Sequence, residues 1–393
     1  MRTMKLRLHK NSIFMALLIL TYAIRAITDA VFVSREVSNG WTSVKYLTVF
    51  LAIVYGTACL LQSGRKWHCL YVIKYIGLAA GTLLAISILR MIYAGVFSII
   101  PIKIVFNMLL PVAVAVLTMS LLDSEDVYNC LSWILVITFC IYCVFEIGLE
   151  NFSAAKFASI SFSSSYSPFE SHYTSGTAMA LCAYFAYYRK RKVMTVISLF
   201  FSLLVFKRLF VLFSIVIFLL PMFFNVKRRV SAWIPYCAAA CFCVLTFFYY
   251  WCMIPENQDV ILQLLNIDSL RNFTSGRSAF FSEVYSSSFF VNFGLGSTEA
   301  YLGRPMEMDL IQILVETSFV GLIVFTFAYW KLSGTTWFGV LYMAFNFLNM
   351  LTSHSFQNGF IWSIVLITFL QIEKETQLQP QTHARRVKLY IGS

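Results

Sequence analysis

Apolar runs recur along almost the whole of this chain, near residues 11–33, 43–62, 69–95, 98–122, 128–149, 172–188, 193–206, 209–224, 230–253, 309–329, 335–352 and 360–372. In lipid such runs can satisfy their backbone only as helices or as closed barrels, and runs this long and this uniformly apolar are helical. Hydrophobic residues make up 59% of the chain and charged residues 12%, with 38 phenylalanines, which excludes an ordinary soluble domain. The expected fold class is an all-α integral membrane protein of about twelve transmembrane helices, a single polytopic domain over 1–393. The first run lacks a small-residue cleavage site and reads as a signal anchor.

Orientation follows from the basic residues. Arg2, Lys5, Arg7 and Lys10 precede the first run; Arg65-Lys66, the Arg189 to Lys192 run, Lys227-Arg228-Arg229 and Lys331 fall in later loops; Arg385-Arg386-Lys388 lie in the tail 373–393. With twelve crossings all of them face the cytoplasm, and so do both termini. The acidic loop Asp123-Ser124-Glu125-Asp126 is an exception on that side, though acidic residues weigh little in the rule. The net charge of +12 is thus topological, scattered over membrane-flanking loops, and does not form a surface suited to nucleic acid. Of the ten cysteines most lie inside apolar runs without zinc-like spacing, and read as small packing residues.

One pair of charges breaks the pattern. Lys207-Arg208 sits between two arms of about 14 and 16 uncharged residues, whose flanks are both basic, so the stretch must cross outward and return. The arms reach roughly 21 and 24 Å, against a hydrocarbon core roughly 30 Å thick. A cationic tip held at that depth is costly unless it binds something, and an anion approached from outside is the first functional expectation.

Two outer loops carry further polar residues. The loop 150–171 is serine-rich and ends in Glu170-Ser171-His172, where Glu170 and His172 would move protons or bind sugar hydroxyls, or simply be solvated. The larger loop, 255–308, is the only soluble stretch big enough to hold its own structure. It contains Thr274-Ser275-Gly276-Arg277, then Phe293-Gly294-Leu295-Gly296, then Arg304-Pro305, and runs into Glu307-Met308-Asp309-Leu310 and Glu316. Ser-Gly-Arg can open a helix whose amides face an anion, while the guanidinium offers a planar fork of donors to phosphate. Asp309 also suits a helix amino-terminal cap. Arg25 and Asp29, four apart, read as a structural pair, Arg90 and Lys103 as snorkelling residues, and Glu146 as a boundary residue. His354, on the turn before the last run, would reach the same cavity as the loop or be solvated.

The order Ser-Gly-Arg, Gly-x-Gly, acidic helix start, Glu316 and Gly321 resembles the large external loop of the O-antigen polymerases within the wider O-antigen polymerase and ligase group, best over 270–325. The resemblance implies a GT-C-like membrane enzyme of the bacterial inner membrane with a periplasmic loop. Its substrates would be polyprenyl diphosphate-linked oligosaccharide donor and acceptor, in a bed of membrane lipids and alongside a chain-length regulator protein and a flippase. In that scheme Arg208 and Arg277 grip the diphosphate and stabilise it as it leaves, Lys207 and Arg304 supply secondary charge, and Gly276, Glu170 and His354 help bind substrate. No metal and no cofactor is expected. Where relatives often carry a histidine this chain has Glu307, so Glu307, Asp309 and His172 all stand as candidates for the general base, with Glu307 preferred. A ligase of the same group, and a lipid-linked glycan flippase or transporter, stay open as alternatives.

Overall fold

The computed structural model describes residues 10–33, 43–161, 167–171, 174–205, 207–334 and 336–391. In chain order its helices begin with α1 (Lys10–Thr28), α2 (Val44–Ser63), α3 (Tyr71–Ala94), α4 (Ile100–Leu121), α5 (Ser124–Ile141) and α6 (Ala154–Ala158). They continue with α7 (Ser175–Tyr187), α8 (Lys192–Leu204), α9 (Arg208–Phe223), α10 (Trp233–Met253), α11 (Gln258–Leu265) and α12 (Leu270–Phe273). The last are α13 (Arg277–Ser286), α14 (Ser297–Leu302), α15 (Asp309–Trp330), α16 (Trp337–Thr352) and α17 (Gly359–Ile391). Among the described residues there is no strand; Arg229 and Thr336 form an isolated bridge. Each of the twelve apolar runs coincides with one of these helices. Seven segments are long and apolar enough to cross a membrane: Asn11–Phe32, Val44–Ser63, Tyr71–Ala94, Ile100–Leu121, Ser124–Ile147, Trp233–Met253 and Asp309–Ser333. The protein is an all-α, multi-pass membrane protein.

The chain packs as two compact units. The first comprises Met1–Leu70, Ala113–Val226 and Phe360–Leu378. In it α1 packs on α2 and α5, and α7 packs on α8 and α9. The acidic loop has a local reason. Asp123 caps α5 by accepting the amides of Glu125 and Asp126 at 3.0 and 2.9 Å, which satisfies donors a helix start would otherwise leave open. Glu125 then meets Lys190 at 2.7 Å, and Arg65 donates to the Leu121 carbonyl at 2.7 Å. The loops that carry Arg65, Glu125 and Lys190 therefore share one end of this unit.

Both arms of the expected hairpin are helical: α8 and α9, of 13 and 16 residues, pack on each other and share a Ser202–Ser214 hydroxyl pair at 2.6 Å. Arg189 reaches back to the Phe218 carbonyl, so the two flanks lie together at the end opposite the tip. Both helices are shorter than the roughly 20 residues that span a bilayer.

Arg25 and Asp29 pair at 3.3 Å, and the structure adds two partners the spacing did not reveal: Lys45 on the second Asp29 oxygen at 2.7 Å and Thr177 on Arg25 at 3.0 Å. Arg25 and Asp29 line a small pocket with Tyr22, Thr138, Thr174 and Thr177. Glu146 accepts the Thr174 hydroxyl at 2.6 Å.

The second unit comprises Tyr71–Val112, Lys227–Gly359 and Gln379–Ser393. α15 is its centre, packed on α3, α10 and α16. That helix is broken at Ser318, whose φ of 66° and ψ of −179° lie in a region that side chains avoid. Just before the break, the Val315 carbonyl accepts the Asn292 amide at 2.7 Å and the Arg90 guanidinium at 3.4 Å. Side-chain donors thus serve the backbone where the helical ladder is interrupted, as lipid surroundings demand. Arg90, expected to snorkel, is spent on this bond. Thr317 lies beside Gly321, where an added Cβ would come within 2.1 Å of its hydroxyl oxygen.

The 255–308 loop folds into α11 to α14 on the ends of α10 and α15. Its own apolar centre joins Ile261, Leu270, Phe281, Val284, Met306 and Met308 to Cys252, Met253 and Ile311.

Candidate functional site

The Gly-x-Gly turn is a docking device. Gly294 and Gly296 take φ of 98° and 80°, which only glycine adopts at little cost. They also lie where a Cβ would come within 2.5 Å of the Ser87 backbone and 2.2 Å of Ile100. Leu295 donates its amide to the Ser87 hydroxyl at 3.0 Å. Below, Glu316 accepts the Gly296 amide at 2.8 Å, the Thr298 amide at 2.9 Å, the Thr298 hydroxyl at 2.6 Å and the Gln312 amide at 3.1 Å. A carboxylate at the start of α14 is also favoured by the exposed amide ends there. Glu316 is fully buried and fully used, so its part is to hold the turn.

Arg277 stands on a second strained turn. Ser275 and Gly276 take φ of 54° and 87°, and Thr274 ties the corner by donating to the Leu270 carbonyl at 2.8 Å and accepting the Ser278 amide at 3.1 Å. The Arg277 and Ala279 amides are likewise engaged, by Thr274 and Gly276 carbonyls. The opening amides of α13 are therefore used within the loop, and the anion-binding capacity expected of Ser-Gly-Arg rests on the guanidinium. Gly276 supplies the left-handed corner and has no neighbour within 4 Å of its missing Cβ. Arg277 donates to the Thr274 carbonyl at 3.0 Å and meets the Glu307 carboxylate at 3.4 Å, while its Nε is buried and, among the described residues, without a partner.

Glu307 is held out by its neighbours. Met306 and Met308 are buried on either side, and Glu307 takes φ of 58°, a strained value for a side-chain-bearing residue, with its carboxylate half exposed. Arg304 is exposed and stacks on Phe280, its guanidinium carbon 3.7 Å from the ring centre. Two residues past Glu307, Asp309 opens α15 with no exposure at all. Its carboxylate accepts the backbone amides of Ser355 and Phe356 at 2.6 and 2.8 Å and faces His354 Nδ1 at 2.8 Å. Asp309 is thus a clamp for the turn before α17, and it is the contact that brings His354 to the mouth of α15. Burial pulls the His354 imidazolium down, but the charge and hydrogen bond of Asp309, with Glu299 and Glu307 further off, outweigh it and hold the group above the usual histidine value.

In the first unit, Lys207 and Arg208 occupy the hairpin tip. Lys207 lies over the Phe210 ring at 5.3 Å. Arg208 opens α9, exposed and with no carboxylate partner among the described residues. The Ser171 amide bonds to the Val205 carbonyl at 3.3 Å, so the end of the 150–171 loop lies against this tip. Glu170 is partly exposed there, between buried Phe169 and Ser171, and Phe169 is fixed by a 2.6 Å bond from Tyr142 to its carbonyl. His172 lies outside the described residues.

Sequence reasoning singled out Arg277, Glu307, Asp309 and His354 one by one but missed the Asp309–His354 contact. No spacing signals it, since the two residues are 45 positions apart, with two helices on the path between them. It also missed Ser87 and Asn292, whose polar side chains in or beside an apolar run were the only available hint.

Comparisons with family models, with curated proteins and with solved structures give no match to this chain.

Proposed function

We propose that the protein is a polymerase of lipid-linked oligosaccharide repeat units. It transfers a growing glycan from polyprenyl diphosphate to the next lipid-linked unit at the outer face of a bacterial inner membrane. On this reading the chain crosses twelve times with both termini cytoplasmic, in a GT-C-like arrangement, and the 255–308 loop is periplasmic. The observation that carries it is the assembly, from three stretches far apart in sequence, of a guanidinium with a spare buried donor (Arg277), two carboxylates (Glu307, Asp309) and an imidazole (His354) at the mouth of α15.

Glycosyl transfer from a diphosphate needs such a set. A planar cation stabilises the negative charge that gathers on the leaving diphosphate, and a proton acceptor takes the hydrogen of the attacking hydroxyl. In the resting protein Glu307 occupies Arg277 as a charge partner, which a diphosphate, carrying more charge, displaces. Arg304 adds a second cation on the same loop. Arg208 and Lys207 are proposed to hold diphosphate as well, from their exposed place at the hairpin tip.

The test is direct. Purified protein in liposomes carrying polyprenyl diphosphate-linked repeat units from the host should produce a ladder of longer glycans. Movement of the units across the bilayer without lengthening would replace this reading with a flippase, and a single transfer to a finished acceptor would replace it with a ligase.

A further inference from the structure

The geometry points to His354 as the general base of the glycosyl transfer, positioned by Asp309; the assignment rests on the polymerase reading. Glu307, Asp309 and Glu316 follow one another into α15 with the His354 imidazole beside Asp309, and their bonds sort them. Glu316 is buried with four donors upon it. Asp309 is sealed from solvent with its oxygens filled by two backbone amides and His354. Glu307 faces Arg277 and is the natural counter-ion of that cation until substrate arrives. His354 is partly exposed and has its ring fixed by a buried carboxylate: its side chain is 25% accessible, and Nδ1 is held on Asp309.

An acceptor as strong as a buried carboxylate keeps the proton on Nδ1. The Nε2 lone pair is then free on the other edge of the ring, which is the tautomer a base requires. The turn that carries it is firm. Phe356 is buried and meets Phe325 edge-on, Asn358 closes on the Ser355 carbonyl, and Gly359 sits where a Cβ would come within 2.9 Å of the Asn107 carbonyl.

In the proposed step Nε2 takes the proton of the acceptor hydroxyl as its oxygen bonds to the anomeric carbon. The bond from that carbon to the diphosphate oxygen breaks, and the electron pair leaves with the lipid diphosphate against Arg277. The imidazolium returns its proton to water before the next cycle. Charged groups that bear on the ring are Asp309 from α15, Glu307 from the segment before it and Glu299 from α14, all acidic, and they favour the imidazolium. The base works only when neutral, so the rate should rise with pH through a midpoint above the ordinary histidine value of about 6.5.

The experiment uses the full-length protein in liposomes with host polyprenyl diphosphate-linked repeat units, and measures initial elongation rates across pH. His354→Asn presents an amide donor where Nδ1 stands, so it keeps the turn on Asp309 but has no Nε2. It should lower kcat about 100-fold or more with KM little changed, and flatten the acid limb of the profile. Asp309→Asn removes the charge while keeping an acceptor, and should move the wild-type midpoint to lower pH. A His354→Asn rate within about threefold of wild type, or a wild-type profile without an acid limb, overturns the assignment while leaving the polymerase intact. A wild-type protein that elongates nothing overturns both.

Discussion

Glu316, deep in α15, accepts the amide of Gly296 at 2.8 Å and thereby ties a membrane helix to the turn that seats the 255–308 loop. Glu316→Ala strands four donors, two backbone amides, a hydroxyl and a side-chain amide, in a site closed to water. A loss of about 3 kcal/mol or more is expected, since each unsatisfied buried donor costs roughly 1–3 kcal/mol. The thermal midpoint of the purified protein in detergent measures it, and a midpoint unchanged from wild type would show that the carboxylate does not hold the turn.

Arg277 differs from a generic cation in its planar fork. Arg277→Lys keeps the charge but forfeits bidentate contact, and should leave less than about a tenth of the elongation rate, with Arg277→Ala lower still. Arg208→Ala should abolish elongation independently. Normal glycan ladders from any of these proteins would show that the substituted residue is not needed for elongation.

Ser318 gives a prediction with the opposite sign. Its φ and ψ belong to a region that is glycine's alone, where other residues store about 1–3 kcal/mol of strain. Ser318→Gly should therefore raise the thermal midpoint, by an amount equivalent to about 1 kcal/mol after glycine's own entropy cost. A lowered midpoint would place the helix break elsewhere.

Topology is open to chemical labelling. With the exposed native cysteines replaced, single cysteines at Glu125 and Lys190 should react from one side of the membrane only, because these residues touch at 2.7 Å. A cysteine at Phe289, an exposed position on the 255–308 loop, should react from the other. Labelling of Phe289→Cys and Lys190→Cys by the same impermeant reagent in intact cells would refute the proposed crossing number.

Helix placement is legible in this sequence because lipid permits so little else: an apolar run must be a helix, and each of the twelve runs holds one. The hairpin around Lys207-Arg208 is legible for the same reason, its basic flanks leaving one way to draw it. Polar contacts are less so. Arg25–Asp29 follows from a four-residue spacing, whereas Lys45 on the same carboxylate depends on how α2 packs against α1. The Asp309–His354 clamp depends on the whole path from α15 through α16, and the break at Ser318 has no local signal, since serine does not announce a glycine-only conformation.

The interrupted α15 also bears on how the protein is made. Part of what its backbone needs comes from Asn292, on the 255–308 loop, and from Arg90, on α3. The segment can enter the bilayer on hydropathy alone, but its Val315 carbonyl gains these donors only once the folded loop has settled back onto α3. Docking of the loop and completion of α15 are therefore coupled, and a chain whose loop has not docked carries an unfinished helix.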